Sequence, residues 1–133
     1  MAALNQAHAN NIIDASLGTA LFVATVTPLK CRLMTAVGTV TTAGTEVATG
    51  ASYVAGTGLS PATMAAAAAG SAASSVALTQ TNMPAVTSIT AIELWDSAGT
   101  PVRKWWGLLT TAKTTNLGDT FTIAAGSLTA ALG

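Results

Sequence analysis

Residues 87–110 read TSITAIELWDSAGTPVRKWWGLLT. This stretch holds all three tryptophans of the chain and four of its ten charged residues. Two runs rich in β-branched and aromatic residues flank residues 96–101, whose small, polar, Gly and Pro side chains favour a reversal of chain direction. The stretch therefore predicts a β-hairpin.

Side chains alternate across a strand, so the first arm of this hairpin has two distinct faces. The face that carries Ile92 and Leu94 is apolar and suits a hydrophobic core. Glu93 then lies on the opposite face, where Arg103 or Lys104 of the return arm lies across from it and forms a modest cross-strand pair. We expect one side of the hairpin to meet something other than water.

The tryptophans of the hairpin allow two interpretations. Trp105 and Trp106 are adjacent and face opposite sides of a strand, so one enters the core and the other rims it or seals a subunit contact. The alternative is a platform on which a sugar ring stacks, with the neighbouring cations beside it. The expected contact residues are Trp95, Arg103, Lys104 and Trp106, and the two cations among them suit either interpretation.

Composition indicates a chain that does not stand alone. The 133 residues are enough for one domain, and half of them are hydrophobic. Only 8% are Asp, Glu, Lys or Arg, against roughly 25% in ordinary soluble domains. A compact monomer of this length exposes about 6,400 Å², or one charge per roughly 640 Å². We expect much of this surface to be covered by neighbouring subunits.

Several classes of partner and cofactor are disfavoured. The formal net charge is zero, so no direct contact with nucleic acid is expected. Cys31 stands alone, which excludes an internal disulfide and a cysteine zinc cluster, and it is expected to be a buried hydrophobe. The amino terminus lacks a secretory signal, and the apolar run at residues 19–26 is far shorter than the ~20 residues that span a bilayer. We expect a protein that is made in the cytoplasm and not exported by a classical signal, with no membrane association.

No catalytic constellation is visible in the sequence. His8 is the one histidine; it lies in a polar helix and is expected to be solvated or to cap that helix. The five carboxylates are scattered, and the sequence has no phosphate-binding loop, dinucleotide fingerprint or serine-hydrolase motif. We therefore expect no enzyme activity, no catalytic or metal site and no cofactor.

The remaining chain alternates short β-rich runs with turn signals. A helix is predicted over residues 4–17, with Gly18 as its C-terminal cap. A strand is predicted over residues 29–34, with Lys30 and Arg32 on its solvated face. Residues 39–49 are predicted to be a connector or hairpin loop, and residues 59–73 an extended or irregular segment. Further strands are predicted at residues 51–57, 75–81, 120–123 and 127–132.

This pattern favours a mainly β fold, an antiparallel β-sandwich of jelly-roll or immunoglobulin-like type with one short N-terminal helix. We expect a single domain over residues 1–133, with an N-terminal helix or arm at 1–18 and the sandwich at 19–133.

The hairpin also carries a family resemblance. Residues 92–107, IELWDSAGTPVRKWWG, together with LTTAKTTNLGDTFTI at 109–123 and GTEVATGASY at 44–53, resemble a family of small virion proteins of tailed bacteriophages. Such proteins are common in phages of actinobacteria and are often labelled tail fibre or minor structural proteins. Family members often carry a His-Thr-Ala-Asp-Pro-like segment after the first strand, where this chain has MTAVG at residues 34–38. Any role of that histidine and acid is therefore missing here.

The resemblance implies a virion protein, and two hypotheses follow. The first is a non-enzymatic capsid decoration or cement protein, a symmetric oligomer such as a trimer that binds the major capsid protein or other virion proteins. The alternative is a tail fibre or minor tail module that binds a glycan on the host surface.

Overall fold

The computed structural model describes residues 3–132 of the chain. Its elements, in order, are β1 Ala3–Leu4, α1 Gln6–Ser16, β2 Lys30–Ala36, β3 Thr45–Glu46, β4 Ser71–Ala73, β5 Leu78–Gln80, β6 Val86–Trp95, β7 Arg103–Thr115, β8 Phe121–Ile123 and β9 Thr129–Ala131.

Two layers of antiparallel strands enclose the core. The larger layer is a five-stranded sheet in the order β1-β7-β6-β2-β3, and the other consists of two two-stranded sheets, β4-β9 and β5-β8. One hydrophobic cluster joins them, with Leu33 and Ile92 from the large sheet packed with Leu78, Phe121 and Leu128 from the smaller ones. The predicted β-sandwich with one N-terminal helix is confirmed.

The predicted hairpin is the centre of the large sheet. Strands β6 and β7 pair antiparallel, with Leu94 opposite Trp105 and Glu93 opposite Trp106. The register then shifts, so that Trp95 lies opposite Arg103 and one residue of β7, Lys104, is extra. A β-bulge of this kind bends the strand and re-aims its side chains. The sequence pattern did not predict the bulge.

The chain itself covers the inner face of the large sheet and the hairpin end of its outer face, whereas β7 from Leu108 to Thr114 is largely exposed. The inner face carries the apolar core. Over the outer face lie α1 and the loop at residues 37–44: the Asn5 N–H donates to the Lys104 carbonyl at 2.9 Å, and the Gln6 N–H donates to the Val40 carbonyl at 3.1 Å. Near the turn of the hairpin, the outer face therefore meets a helix and a loop of the same chain.

The predicted helix at 4–17 is confirmed with tighter bounds. Asn5 caps it, because its side-chain oxygen accepts a hydrogen bond from the Ala7 N–H at 3.0 Å, which satisfies one of the unpaired donors of the first turn. Leu4 instead pairs with Trp105 in β1. None of the helices within residues 3–132 is long and apolar enough to cross a bilayer.

The predicted strand at residues 51–57 is wrong, since these residues form successive turns. Tyr53 is the reason: its side chain is fully buried, and its hydroxyl accepts a hydrogen bond from the Leu33 N–H and donates to Glu46, both at 3.0 Å. The positive φ of Ala51, 50°, also belongs to a turn and not to a strand.

Other predictions hold in outline. Residues 59–70 contain no helix and run as an irregular segment into β4, despite five consecutive alanines. The predicted strands at 29–34, 75–81, 120–123 and 127–132 are present as β2, β5, β8 and β9 with different bounds. Residues 20–26, which connect α1 to β2, form neither helix nor strand; we call them the strap.

Candidate functional site

A buried ion pair lies on the outer face of the hairpin, beneath the loop at residues 37–44. Arg103 Nη1 contacts Glu93 Oε1 at 2.7 Å, and the exposed fractions of the two side chains are 3% and 1%. The same carboxylate accepts hydrogen bonds from the Gly44 N–H at 2.7 Å and from the Trp95 indole N–H at 3.0 Å. The predicted cross-strand pair is therefore present, but as a fully desolvated network and not as a modest surface pair.

The loop at residues 37–44 closes over this pair. Arg103 donates to the carbonyls of Thr39 and Thr42, the latter at 2.9 Å. A Cβ atom at Gly38 would lie 2.4 Å from the Thr42 carbonyl and 2.7 Å from Arg103 Nη1, and a Cβ at Gly44 would lie 2.3 Å from the Ala36 carbonyl. The two glycines therefore allow the backbone to approach the guanidinium closely.

A second buried pair joins Lys104 to Asp96 at 3.2 Å. Burial alone raises the pKa of Asp96, but hydrogen bonds from the Val102 and Ala98 N–H groups and the Lys104 ammonium outweigh it, so that the pKa is lowered. The carboxylate therefore stays ionised and closes the turn between β6 and β7.

His8 packs over this second pair, and its predicted solvated or capping role is wrong. The residue is 7% exposed, because α1 presses it onto the outer face of the sheet. Burial lowers its pKa, and the Lys104 charge lowers it further, against an opposing effect of Asp96. The imidazole is consequently held in its neutral form.

The predicted solvated face of β2 is also wrong. The guanidinium of Arg32 lies over the Trp95 ring, 4.1 Å from its centroid, and 3.8 Å from Glu46. Its side chain is 13% exposed, and Lys30 is half-buried. A cation over an indole face is a favourable contact, and it covers one side of the ring that the sequence suggested for stacking.

The adjacent tryptophans divide between the two faces as predicted. Trp105 packs against the hydrophobic core cluster. Trp106 pairs with Glu93 on β6, so it belongs to the opposite face, and it is half-buried. Its indole nitrogen is buried and has no hydrogen-bond partner within residues 3–132.

The four predicted contact residues are thus brought together, but two of them are buried. Arg103 and Lys104 are 4% and 7% exposed and satisfied by partners in the same chain. Trp95 and Trp106 remain partly exposed. Removing either cation would leave a buried carboxylate unpaired, which is costly. The cluster therefore contributes to the stability of the fold.

Charge at the surface is sparser than the composition alone implies. Of the ten charged residues, only Asp14, Lys113 and Asp119 are exposed. Two of these three, Lys113 and Asp119, line the same groove of about 310 Å³ near the end of β7. Two of the three exposed charged side chains therefore lie at one place.

The groove is walled mainly by threonines, with Phe121 buried among its lining residues. The Oδ2 atom of Asp119 accepts a hydrogen bond from the Asn116 N–H at 2.7 Å, and Oδ1 accepts none within residues 3–132. Lys113 and Thr120 make no side-chain hydrogen bond within the described residues. Together they offer a carboxylate oxygen, an ammonium and a hydroxyl to a polar ligand. No pattern in the sequence predicts that β7 and β8 place these groups together.

The described residues hold no group of three or more His, Cys, Asp or Glu side chains suited to a metal ion. Cys31 is fully buried, so it is a core side chain as predicted. Burial raises the pKa of its thiol to about 12, which keeps the thiol protonated.

The chain matches a known protein family over nearly its whole length. The family model named Gp80 and described as podophage GP4 fiber I protein gp80 matches residues 3–131. Among curated proteins, no match is found. The description supports the predicted phage virion protein and favours the tail fibre hypothesis over capsid decoration; the actinobacterial host stays a prediction. Because the match spans nearly the whole chain, this protein belongs to the Gp80 family of podophage fibre proteins.

Proposed function

We propose that this protein is a non-enzymatic component of a phage tail fibre that contacts a glycan on the host surface through the groove near Lys113, Asp119 and Thr120. Membership of a fibre family supports the place in the virion. The groove supports the contact, since two of the three exposed charges converge there on a threonine-rich wall.

The chemistry of the groove suits a neutral, hydroxyl-rich ligand. Sugar hydroxyls both donate and accept hydrogen bonds, and Asp119 Oδ1, the Lys113 ammonium and the Thr120 hydroxyl offer one acceptor, one donor and one group of either kind. The volume of about 310 Å³ is at the lower end of small-ligand sites, roughly 300–1,000 Å³. It is therefore matched to one or two sugar rings.

The hairpin is less suited to that contact. Arg103 and Lys104 are buried in ion pairs, and Arg32 covers one face of the Trp95 ring. A stacking platform requires an open aromatic face with free polar groups beside it. The groove is therefore a better candidate for the glycan contact than the hairpin.

The absence of enzyme activity is part of the proposal. Glu93 and Asp96 are buried and paired, and Glu46 accepts hydrogen bonds from the Tyr53 hydroxyl and the Gly56 N–H. The carboxylates at 14 and 119 are exposed but lie on different elements. The groove holds one carboxylate, whereas glycoside hydrolysis ordinarily uses two.

Binding to cell-wall polysaccharide purified from a susceptible host tests the proposal. We expect Asp119→Asn and Thr120→Val each to weaken binding about tenfold, the loss of about one good hydrogen bond. Asn at 119 can still accept from the Asn116 N–H, so the turn is kept. Asp14→Asn is the matched control, because it removes the one exposed charge outside the groove. Equal binding by wild type and both groove variants, or no binding by wild type, would contradict the proposal.

A further inference from the structure

The strap at residues 20–26 has the sequence ALFVATV. Leu21 is 93% exposed, Phe22 56% and Val23 67%. In the described structure, residues 21–25 make no backbone hydrogen bond to the rest of the chain. An exposed apolar segment whose backbone donors and acceptors are open is suited to docking against a protein surface.

The strap is held at both ends. At its start the Thr19 N–H donates to the Asp14 carbonyl at 2.9 Å, and at its end the Ser97 N–H donates to the Val26 carbonyl at 3.0 Å. Its apolar side chains are therefore displayed from fixed points and do not belong to a loose tail. This lowers the entropy cost of docking it.

The neighbouring helix enlarges the apolar surface. Ile13 and Leu17 are 53% and 71% exposed and, four residues apart, share one side of the helix. With Leu21, Phe22, Val23 and Val26 they expose on the order of 600 Å², the upper end of the largest patch on a typical monomer. Asp14 is the one charged residue between 13 and 26.

The same chain carries an apolar cleft. It has a volume of about 210 Å³, and its lining includes Leu29, Met64, Leu94, Trp105 and Leu132. No charged residue lines it. It is large enough for an aromatic side chain, and none of the strap residues of its own chain lines it.

We propose that the strap of one copy docks in the apolar cleft of a second copy of this chain, with Phe22 as the anchor. The cleft, added to a patch of about 600 Å², brings the buried surface close to the ~800 Å² per partner of a stable interface. A self-partner covers both apolar features at once; the cleft lining holds no charged residue, and Asp14 is the one charge beside the strap. The proposal concerns a different surface from the glycan groove and does not depend on it.

Light scattering on the full chain over a range of concentrations tests this docking. The double variant Phe22→Ser with Val23→Ser should raise the dissociation constant of the oligomer about 100-fold, the loss expected for a central aromatic anchor. Ala67→Glu, which places a charge in the cleft lining, should have the same effect from the other side. Leu117→Ser is the control, since Leu117 is 74% exposed in a distant turn and should leave association unchanged. The melting temperatures of the strap variant and the control should match that of the wild-type monomer.

A cysteine pairing experiment identifies the two surfaces directly. A mixture of Phe22→Cys and Ala67→Cys chains should form a disulfide between copies under mild oxidation, whereas Leu117→Cys mixed with Ala67→Cys should not; the native Cys31 is buried. A wild-type chain that stays monomeric at millimolar concentration overturns the proposal, as do strap variants that associate as well as wild type. A monomer that still binds glycan would overturn the docking and leave the proposed function standing.

Discussion

The pair of Glu93 and Arg103 shows what single residues contribute to this fold. Both side chains are desolvated, and each of the two carboxylate oxygens has a donor. A pair of this kind adds little net stability over an apolar replacement, but losing one partner leaves a buried charge without compensation. Its consequences therefore appear when one partner is removed.

We predict that Arg103→Ala lowers the free energy of unfolding by about 3–5 kcal/mol. The reason is that Glu93 stays buried while its cation is lost. Urea denaturation measures the difference, with Lys113→Ala, an exposed cation of the same sheet, as the control that should change stability by less than about 0.5 kcal/mol. Equal effects of the two substitutions would show that the ion pair is not buried as described.

Acid should destabilise the protein in two steps. The pKa of His8 is lowered by folding, so the unfolded chain takes up the proton first, and stability falls as pH drops below the ordinary value of 6.5. The pKa of Asp96 is also lowered, so stability falls again as pH drops below its ordinary value of 3.8. Melting temperatures between pH 8 and pH 3 measure both steps.

The variant His8→Gln separates the steps. Glutamine stays neutral across this range, so the loss of stability that begins near pH 6.5 should disappear while the loss at lower pH remains. An unchanged profile in the variant would show that the imidazole does not titrate against Lys104.

At the scale of elements, the hairpin is predictable from the sequence and its surroundings are not. The period of two and the turn residues at 96–101 define β6 and β7 because these signals are local. The bulge at Lys104, the burial of Tyr53 and the burial of Arg32 beside Trp95 and Glu46 depend on contacts between distant segments. A cation in an alternating strand pattern is expected to be exposed to solvent. Only the tertiary structure shows that it has a partner.

The loop at 37–44 is a second element that the sequence described only as a connector. We predict that Gly44→Ala destabilises the protein by about 2 kcal/mol or more, because the new Cβ would overlap the Ala36 carbonyl. Gly99→Ala is the matched control, since a Cβ there meets nothing within 4 Å. Thermal denaturation of both variants checks this, and similar melting temperatures would contradict the tight fit of the loop over Arg103.

At the scale of the whole molecule, seven of the ten charges are buried or half-buried and three are exposed. The composition predicted a sparsely charged surface, and the folded chain makes it sparser by pairing charges inside. The candidate site was predicted in part: the four hairpin residues do cluster, but the groove and the strap were not predicted. The residues of the groove and the strap form no motif in the sequence. Their proposed roles depend on their exposure and on neighbours from other strands.

The most direct test of the central claim, that this chain is a fibre component of a virion, is its position on assembled phage particles. Cryo-electron microscopy of particles that carry the protein fused to a bulky marker at its exposed turn near Leu117 locates it. We predict that the marker decorates fibres attached to the tail. Density on the capsid shell, or particles without the marker, would contradict the claim.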